Sequence, residues 1–454
     1  MNALTTPTTV VPDAYQATVT RRDLVKRLGP CALASSLIYT ACRAPDRRGA
    51  PEPQVQVKET SLWVYDAFEP LLTLRQDLDR LVYTPFAQKY PQIKVQHDSV
   101  STGDFYAKVP VLFASGKPPD VLWVQTFVHY TYIEQNLALD LMPLIARDKQ
   151  LNLPDFWPKA LASLRKGGGL YGLPYSMQTL AVYYNRQLFR EAGLTFPKDS
   201  WTWQEFLETA MRLTQVEGGE AKRFGGGPVW PTSWMYESFL LHAGGSILNK
   251  ERNAPTLTSP GSLHALEWSA DFYLKYRVAP NKLNPLPRGL GFKTGHIAMM
   301  VNDLPVREDL NRLTPPLDYD VVRLPKGPLN NLSVTGGGAY WISAQTKAPY
   351  EAFLLFSALL SKEAAPAYGL SGIPGRRSAS DLIKVPGQPP ERVQVFLDAM
   401  QDAPSPTWAE HRHNLKLWQA CAQPLDAAFH GDLPLREGIA QAQQALEKVL
   451  AEQS

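Results

Sequence analysis

From about residue 58 onward the chain alternates short apolar runs with longer amphipathic ones. Ser61-Leu62-Trp63-Val64-Tyr65 is a run of bulky residues and predicts a strand. A helical stretch from Pro70 to Tyr90 follows and is stopped by Pro91. Ile93 to Val100 alternates apolar and polar positions, as a half-buried strand does. Phe105 to Ala114 is helical up to Ser115-Gly116, and Pro119 to Val124 is a short apolar run that fits a buried parallel strand. This order predicts an α/β architecture with a parallel sheet. Ligands of such sheets bind beyond the carboxyl ends of the strands. The loops at 66–69, 101–104 and 125–127 are therefore the expected mouth of a site, with Tyr65, Asp66, Asp104, Trp123 and Gln125 as its candidate residues.

The pattern breaks at Gly167 to Tyr175, where a turn and a crossover into a second lobe are expected. Beyond it, 182–185, 297–301, 321–324 and 339–343 predict strands, the last two separated by a Gly-rich turn. Residues 203–216, 264–276 and 349–361 predict helices, and 391–452 is mostly helical. No repeat with a fixed period is present.

The first 57 residues have a different character. Arg21-Arg22 precedes the moderately apolar segment Leu28 to Ala41, the layout of an export signal of the twin-arginine kind. The segment ends Tyr39-Thr40-Ala41-Cys42, similar to a bacterial lipobox, with Cys42 as the expected lipid-anchor site. The Pro- and charge-rich stretch to Pro53 has linker composition. The expected location is the periplasm or the outer face of the cytoplasmic membrane.

A chain of 454 residues is long for one core, so at least two lobes are expected. A formal net charge of +3 gives no electrostatic case for nucleic acid. Of the three cysteines only Cys421 lies beyond the targeting region, so no internal disulfide framework is expected there. The 11 Trp and 19 Tyr supply flat apolar faces with polar edges, suited to stacking on sugars as well as to core packing.

Most enzyme signatures are missing. The triple-glycine runs at 167–169, 225–227 and 336–338 complete neither a phosphate loop nor a dinucleotide fingerprint and predict turns. No G-x-S-x-G elbow is present, and His411 and His413 lack a metalloprotease motif. A glycan-processing enzyme stays open as an alternative because Asp66, Glu69 and Asp104 are close in sequence, and glycoside hydrolysis needs two carboxyls.

An ordered set of blocks carries a resemblance. They are Phe86 to Val95, Ala114 to Val121, Tyr171 to Tyr175, Tyr183 to Phe189, Glu191 to Leu194, Trp201 to Phe206, Phe292 to Met300, Leu324 to Pro328 and Gly336 to Ser343. Together they resemble the family 1 extracellular solute-binding proteins of ABC importers, the maltose-binding-protein-like group. The resemblance implies a two-lobe periplasmic-binding-protein-like α/β fold with ligand in a cleft between the lobes. It implies lobe 1 at 58–172 with 303–360, and lobe 2 at 173–302 with 361–454. It also implies a monomer without enzymatic activity, cofactor or metal, which delivers a carbohydrate to permease subunits. Implied ligand contacts are Tyr175 and Gln178 after the crossover, Trp230 and Trp234 in a loop, Asp303 after an apolar strand, Trp341 and Trp418. Gln178 stands where maltose-binding relatives carry a carboxylate, which argues against maltose itself. Arg376 and Arg377 keep a glycerol-phosphate-type ligand as the alternative within the same transport role, and a ligand sensor is a third reading.

Overall fold

The computed structural model describes residues 56–68, 72–148, 151–369 and 372–452. The Arg21-Arg22 pair, Cys42 and Glu69 lie outside the described residues.

The first expected strands form as strand β1 (Thr60–Asp66), β2 (Ile93–Ser99) and β3 (Val121–Gln125), all parallel. Between β1 and β2 the helical stretch divides into Leu72–Leu78, a π-turn at Asp79–Tyr83 and Thr84–Lys89. Helix α1 (Thr102–Ala114) starts earlier than its apolar pattern, because Ser101 caps it by accepting the Asp104 N–H at 3.2 Å. Helix α2 (Thr126–Glu134) begins directly after β3, so the loop expected at 125–127 is the first turn of a helix.

Strands β4 (Leu173–Gln178) and β5 (Leu180–Asn185) are separated only by Thr179 and belong to different sheets. Helices α3 (Trp203–Leu213) and α4 (Pro260–Leu274) follow. A capping box fixes the start of α3, with the Thr202 side chain and Glu205 exchanging hydrogen bonds with each other's backbone N–H. Then come β6 (Met299–Asp303), β7 (Tyr319–Val322), β8 (Gly336–Ile342), helix α5 (Pro349–Leu359) and the short strand β9 (Ile373–Pro374). Helices α6 (Asn414–His430) and α7 (Leu435–Ala451) pack on each other at the end.

The large sheet has six strands in the order β9-β4-β8-β3-β1-β2, and the small one has three in the order β6-β5-β7. Each organises its own lobe. The first core gathers β1, β3, β8 and α5 around Trp341, Phe353 and Phe356. The second gathers α3, α4 and α6 around Phe206, Phe272 and Phe429. A third apolar cluster, including Met177, Tyr183 and Phe396, joins the two sheets where the chain passes between them.

Strand membership moves the expected lobe limits. The passage lies at Thr179 rather than after residue 172, because β4 pairs with β8 in the large sheet. The return lies near Gly336 rather than at 303, because β7 pairs with β5 in the small sheet. Pairing of β9 with β4 brings 373–374 back to the first lobe.

The glycine run 336–338 is also not a turn: it opens β8. A Cβ on Gly338 would stand 2.3 Å from the Tyr175 ring, and one on Gly337 would stand 2.2 Å from the Ser176 carbonyl oxygen. Glycine is required there by close approach of neighbouring atoms.

Candidate functional site

Because β3 and β4 are both antiparallel to β8, they run parallel to each other. Their carboxyl ends, Gln125 and Gln178, lie opposite Gly338 and Gly336 on one edge of the large sheet. That edge also carries the ends of β1 and β2. The small sheet meets it at Thr179, with Asp303 at the end of β6 opposite Leu180.

The junction is closely tied. The Thr179 hydroxyl donates to the Phe396 carbonyl at 2.9 Å, the Leu180 N–H to Ser333 Oγ at 2.9 Å, and the Thr335 hydroxyl to the Gln178 carbonyl at 3.0 Å. Such a tied junction between two cores suits a pair of lobes moving about few residues.

A row of aromatic rings runs across this junction. Trp234, from the second lobe, lies over Gly336 and stacks on Phe127 of α2, with centroids 6.2 Å apart and planes inclined by 26°. A Cβ on Gly336 would lie 3.1 Å from the Trp234 ring, so glycine keeps the indole close to the strand. Phe127 also meets Trp408 at 5.9 Å, and Trp408 stacks on Trp418 at 4.9 Å. Phe127, Trp234 and Trp418 are half-buried, leaving ring surface accessible. Accessible aromatic rings beside polar strand ends are the make-up of a site for a polar ligand with apolar faces.

Of the residues expected from sequence, the structure brings Gln125, Gln178, Trp234, Asp303 and Trp418 to this junction. Gln125 Oε1 accepts the Tyr106 hydroxyl at 3.0 Å. Asp303 is half-buried, and among the described residues no cation or donor of another residue reaches its carboxylate. Burial raises its pKa to about 6. Its folded value therefore exceeds the unfolded one, and the stability it contributes is complete at low pH and lost as pH rises through about 6. Asp303→Asn is expected to raise the melting temperature at about pH 8 and to leave it nearly unchanged at about pH 4, as measured by thermal unfolding.

The other expected residues serve packing or sit apart. Trp341 is fully buried, stacked between Phe113 at 5.7 Å and Tyr132 at 5.2 Å. Its place in β8 points it into the first core, away from the junction. Tyr65 is buried against Phe105 at 5.3 Å. Trp123 is buried and donates its indole N–H to the Tyr175 hydroxyl at 3.0 Å, while Tyr175 is buried against Phe68, Tyr340 and Tyr368.

Asp66 is fully buried and faces inward. It meets His97 Nε2 at 2.7 Å and accepts the Ser99 hydroxyl. Asp104 is exposed and pairs with Lys108 at 3.7 Å. Trp230 donates to Asp426 Oδ1 at 2.9 Å and packs on Tyr273 and His430, outside the aromatic row.

Arg376 is fully engaged: it donates to the carbonyls of Leu360 and Leu151, pairs with Asp155 at 3.3 Å and covers the Phe156 ring at 4.6 Å. Arg377 donates to the Pro154 carbonyl. Neither arginine approaches the junction.

Phe127 and Trp408 complete the row and were not singled out from sequence. Phe127 follows the apolar run of β3 directly, which was the available signal. Trp408 lies in the Pro-rich stretch 403–408, whose sequence carries no periodicity to orient it. Three hollows of the surface, of about 550, 530 and 530 Å³, are lined by Phe86, Leu151 and Arg376, by Arg186, Tyr319 and Pro389, and by Trp63, His97 and Lys108. None of the three is lined by a residue of the aromatic row.

The profile of the family described as bacterial extracellular solute-binding protein matches residues 71–366, more than half of the chain. The chain belongs to the bacterial extracellular solute-binding protein family. A binding protein of Brucella abortus is 29% identical over 164 residues, which are 36% of this chain and 39% of that relative. The chain thus matches well under half the length of the curated relative. Among solved structures, the ABC substrate-binding protein of Listeria monocytogenes in complex with cycloalternan superposes with a TM-score of 0.74 at 20% identity, over 87% of this chain and 100% of the other. The sugar-binding protein MalE of Xanthomonas citri gives 0.72 at 18% identity, over 86% and 98%. These superpositions show that this solute-binding protein has the MalE-like two-lobe α/β fold.

Proposed function

We propose that this protein is the solute-binding component of an ABC importer and that its solute is a sugar or oligosaccharide, held at the junction of the lobes. The observation that carries the reading is the aromatic row Trp234–Phe127–Trp408–Trp418, which crosses from one lobe to the other at the strand ends. Sugar rings present apolar C–H faces to such indoles while their hydroxyls meet polar groups at the rim. Gln125, Gln178 and Asp303 are the rim groups. The cycloalternan complex of the Listeria protein and the sugar-binding description of the Xanthomonas protein support the same class.

A solute touching both lobes makes contacts that only the closed arrangement offers, so it shifts the population toward closure. The closed pair of lobes then presents its surface to permease subunits. No bond of the solute changes. The Arg21-Arg22 pair supports twin-arginine export, and Ala41-Cys42 supports lipid attachment at Cys42. Mass spectrometry of the mature N-terminus should find a lipid-modified Cys42, and an unmodified start elsewhere removes the anchor.

The glycerol-phosphate-type reading loses its support, since Arg376 and Arg377 are engaged away from the junction. The glycosidase reading loses support because Asp66 is buried inward.

A panel of maltotriose, mannotriose, cycloalternan and glycerol 3-phosphate decides among these readings by thermal shift and calorimetry. A bound sugar raises the melting temperature and is recovered uncut. A shift with glycerol 3-phosphate alone overturns the sugar assignment, and cleaved glycan overturns the binding role. Trp234→Ala is expected to weaken the sugar that binds by about 10- to 100-fold, the loss of one stacking platform. Titration calorimetry checks this, and unchanged affinity moves the site elsewhere.

A further inference from the structure

Residues 404–414 run along the junction and touch both lobes. The Pro404 carbonyl accepts the Thr335 N–H at 2.8 Å. Asn414, almost fully buried, donates to the Phe127 carbonyl at 2.7 Å and accepts the Thr131 hydroxyl at 3.1 Å, both on α2 of the first lobe. Between these ties sits Trp408, packed against Phe127 on one side and Trp418 on the other.

Several ties fasten the segment to the second lobe: Glu410 pairs with Arg252, and one buried carboxylate holds Thr407. Glu237 is 1% exposed. Its Oε2 accepts the Thr407 N–H at 2.8 Å, and its Oε1 accepts the Thr407 hydroxyl and the Ile247 N–H at 3.0 Å. The Thr407 oxygen in turn accepts the Leu248 N–H at 3.0 Å, so its own proton is committed to Glu237. All three partners of Glu237 are donors. An ionised carboxylate can accept from all of them, whereas a glutamine would turn an NH2 group against an N–H. A buried charge of this kind is retained only where donors compensate it.

Trp408 adds an independent observation. It is 1% exposed, and its indole N–H has no acceptor among the described residues. A buried donor without a partner is costly and is rare in folded proteins. It lies within the aromatic row, between Phe127 of the first lobe and Trp418 of the second.

We propose that Glu237 is a positioning residue of the solute site: it fixes the Thr407–Trp408 turn so that the Trp408 indole N–H stands as a donor for a hydroxyl or ring oxygen of the bound solute. The inference rests on the carbohydrate reading for its ligand, but not for the positioning itself. Trp408 touches the solute, and Glu237 acts through it.

The test compares the full chain with Trp408→Phe, which keeps a ring and removes the N–H, and with Glu237→Gln and Thr407→Val. Each is titrated with maltotriose and mannotriose, melted without sugar, and read by tryptophan emission. Trp408→Phe is expected to weaken the sugar that wild type binds by about tenfold, the order of one hydrogen bond. Glu237→Gln and Thr407→Val are expected to weaken it at least as much and to shift the emission. That shift should vanish when Trp408→Phe is added.

Unchanged affinity in Trp408→Phe overturns the donor assignment. A lower melting temperature in Glu237→Gln with affinity and emission unchanged makes Glu237 merely structural and overturns the positioning. Thr407→Val carries the same readouts if Glu237→Gln does not fold. If wild type binds neither sugar, the ligand half falls with the carbohydrate reading. The emission comparison then still decides the positioning: a shift that depends on Trp408 sustains it, and no shift overturns it.

Discussion

Trp341→Ala is expected to lower the unfolding free energy by about 3–5 kcal/mol, the range for emptying a large aromatic site in a core. The indole is fully buried in β8, its faces covered by Phe113 and Tyr132, and its N–H donates to the Trp123 carbonyl at 3.3 Å. Removal leaves a cavity between α1, α2 and the large sheet and takes one donor from the Trp123 carbonyl. The packing around it is aromatic and rigid, so little collapse can offset the loss. Urea unfolding measures the change. Solute affinity of the molecules that remain folded should stay near the wild-type value. A selective loss of affinity with full stability would show that Trp341 reaches the solute after all.

Arg376→Met is expected to cost about 3 kcal/mol, comparable to breaking other buried ion pairs by removing one partner. Methionine keeps much of the apolar stem but leaves the Leu360 and Leu151 carbonyls and the Asp155 carboxylate without the guanidinium. Asp155 keeps the Ser378 hydroxyl at 2.7 Å and the Ser378 N–H at 2.9 Å, which limits the cost.

This effect should depend on pH. Burial pushes the Asp155 carboxyl up, but the Ser378 donors and Arg376 together pull it below the ordinary carboxylate value. A depressed folded pKa contributes stability above the unfolded value and loses it as pH falls through the folded one. The gap between Arg376→Met and wild type should therefore be full at neutral pH and narrow below about pH 4, as urea unfolding at the two pH values would show. Solute affinity should not change, because the guanidinium is spent inside the first lobe. An affinity loss without a stability loss would restore Arg376 to the site and revive an anionic ligand.

Both cases show where reading residues one at a time stops. Trp341 and Arg376 carry side chains typical of binding sites, and sequence alone does not say which face of a strand or turn they occupy. A shift of one residue in a strand sends a side chain to the opposite face. In β8 the register that places Gly336 and Gly338 against Gln178 and Gln125 also turns Trp341 inward. The same holds for tryptophan content as a sign of sugar binding. Trp203 stacks on Trp268 at 4.0 Å within the second lobe, and Trp123 and Trp341 lie in the first core. Trp234 and Trp418 do stand at the junction, but they are distinguished by what faces them across it and not by residue type.

The sequence by itself determined the strand and helix order of the first lobe. Alternation in 93–100, the apolar run 119–124 and the breaks at Pro91 and Ser115-Gly116 are local signals of period and punctuation. The ordered blocks also determined the family, since their order along the chain survives low identity. Only the tertiary structure decided that the first passage between the lobes is the single residue Thr179, that the glycines at 336–338 make room for Tyr175 and Trp234, and that Phe127 meets Trp234 and Trp408. These are contacts between segments up to hundreds of residues apart. Their geometry is fixed by which strands pair and which faces are buried, and no local pattern encodes either.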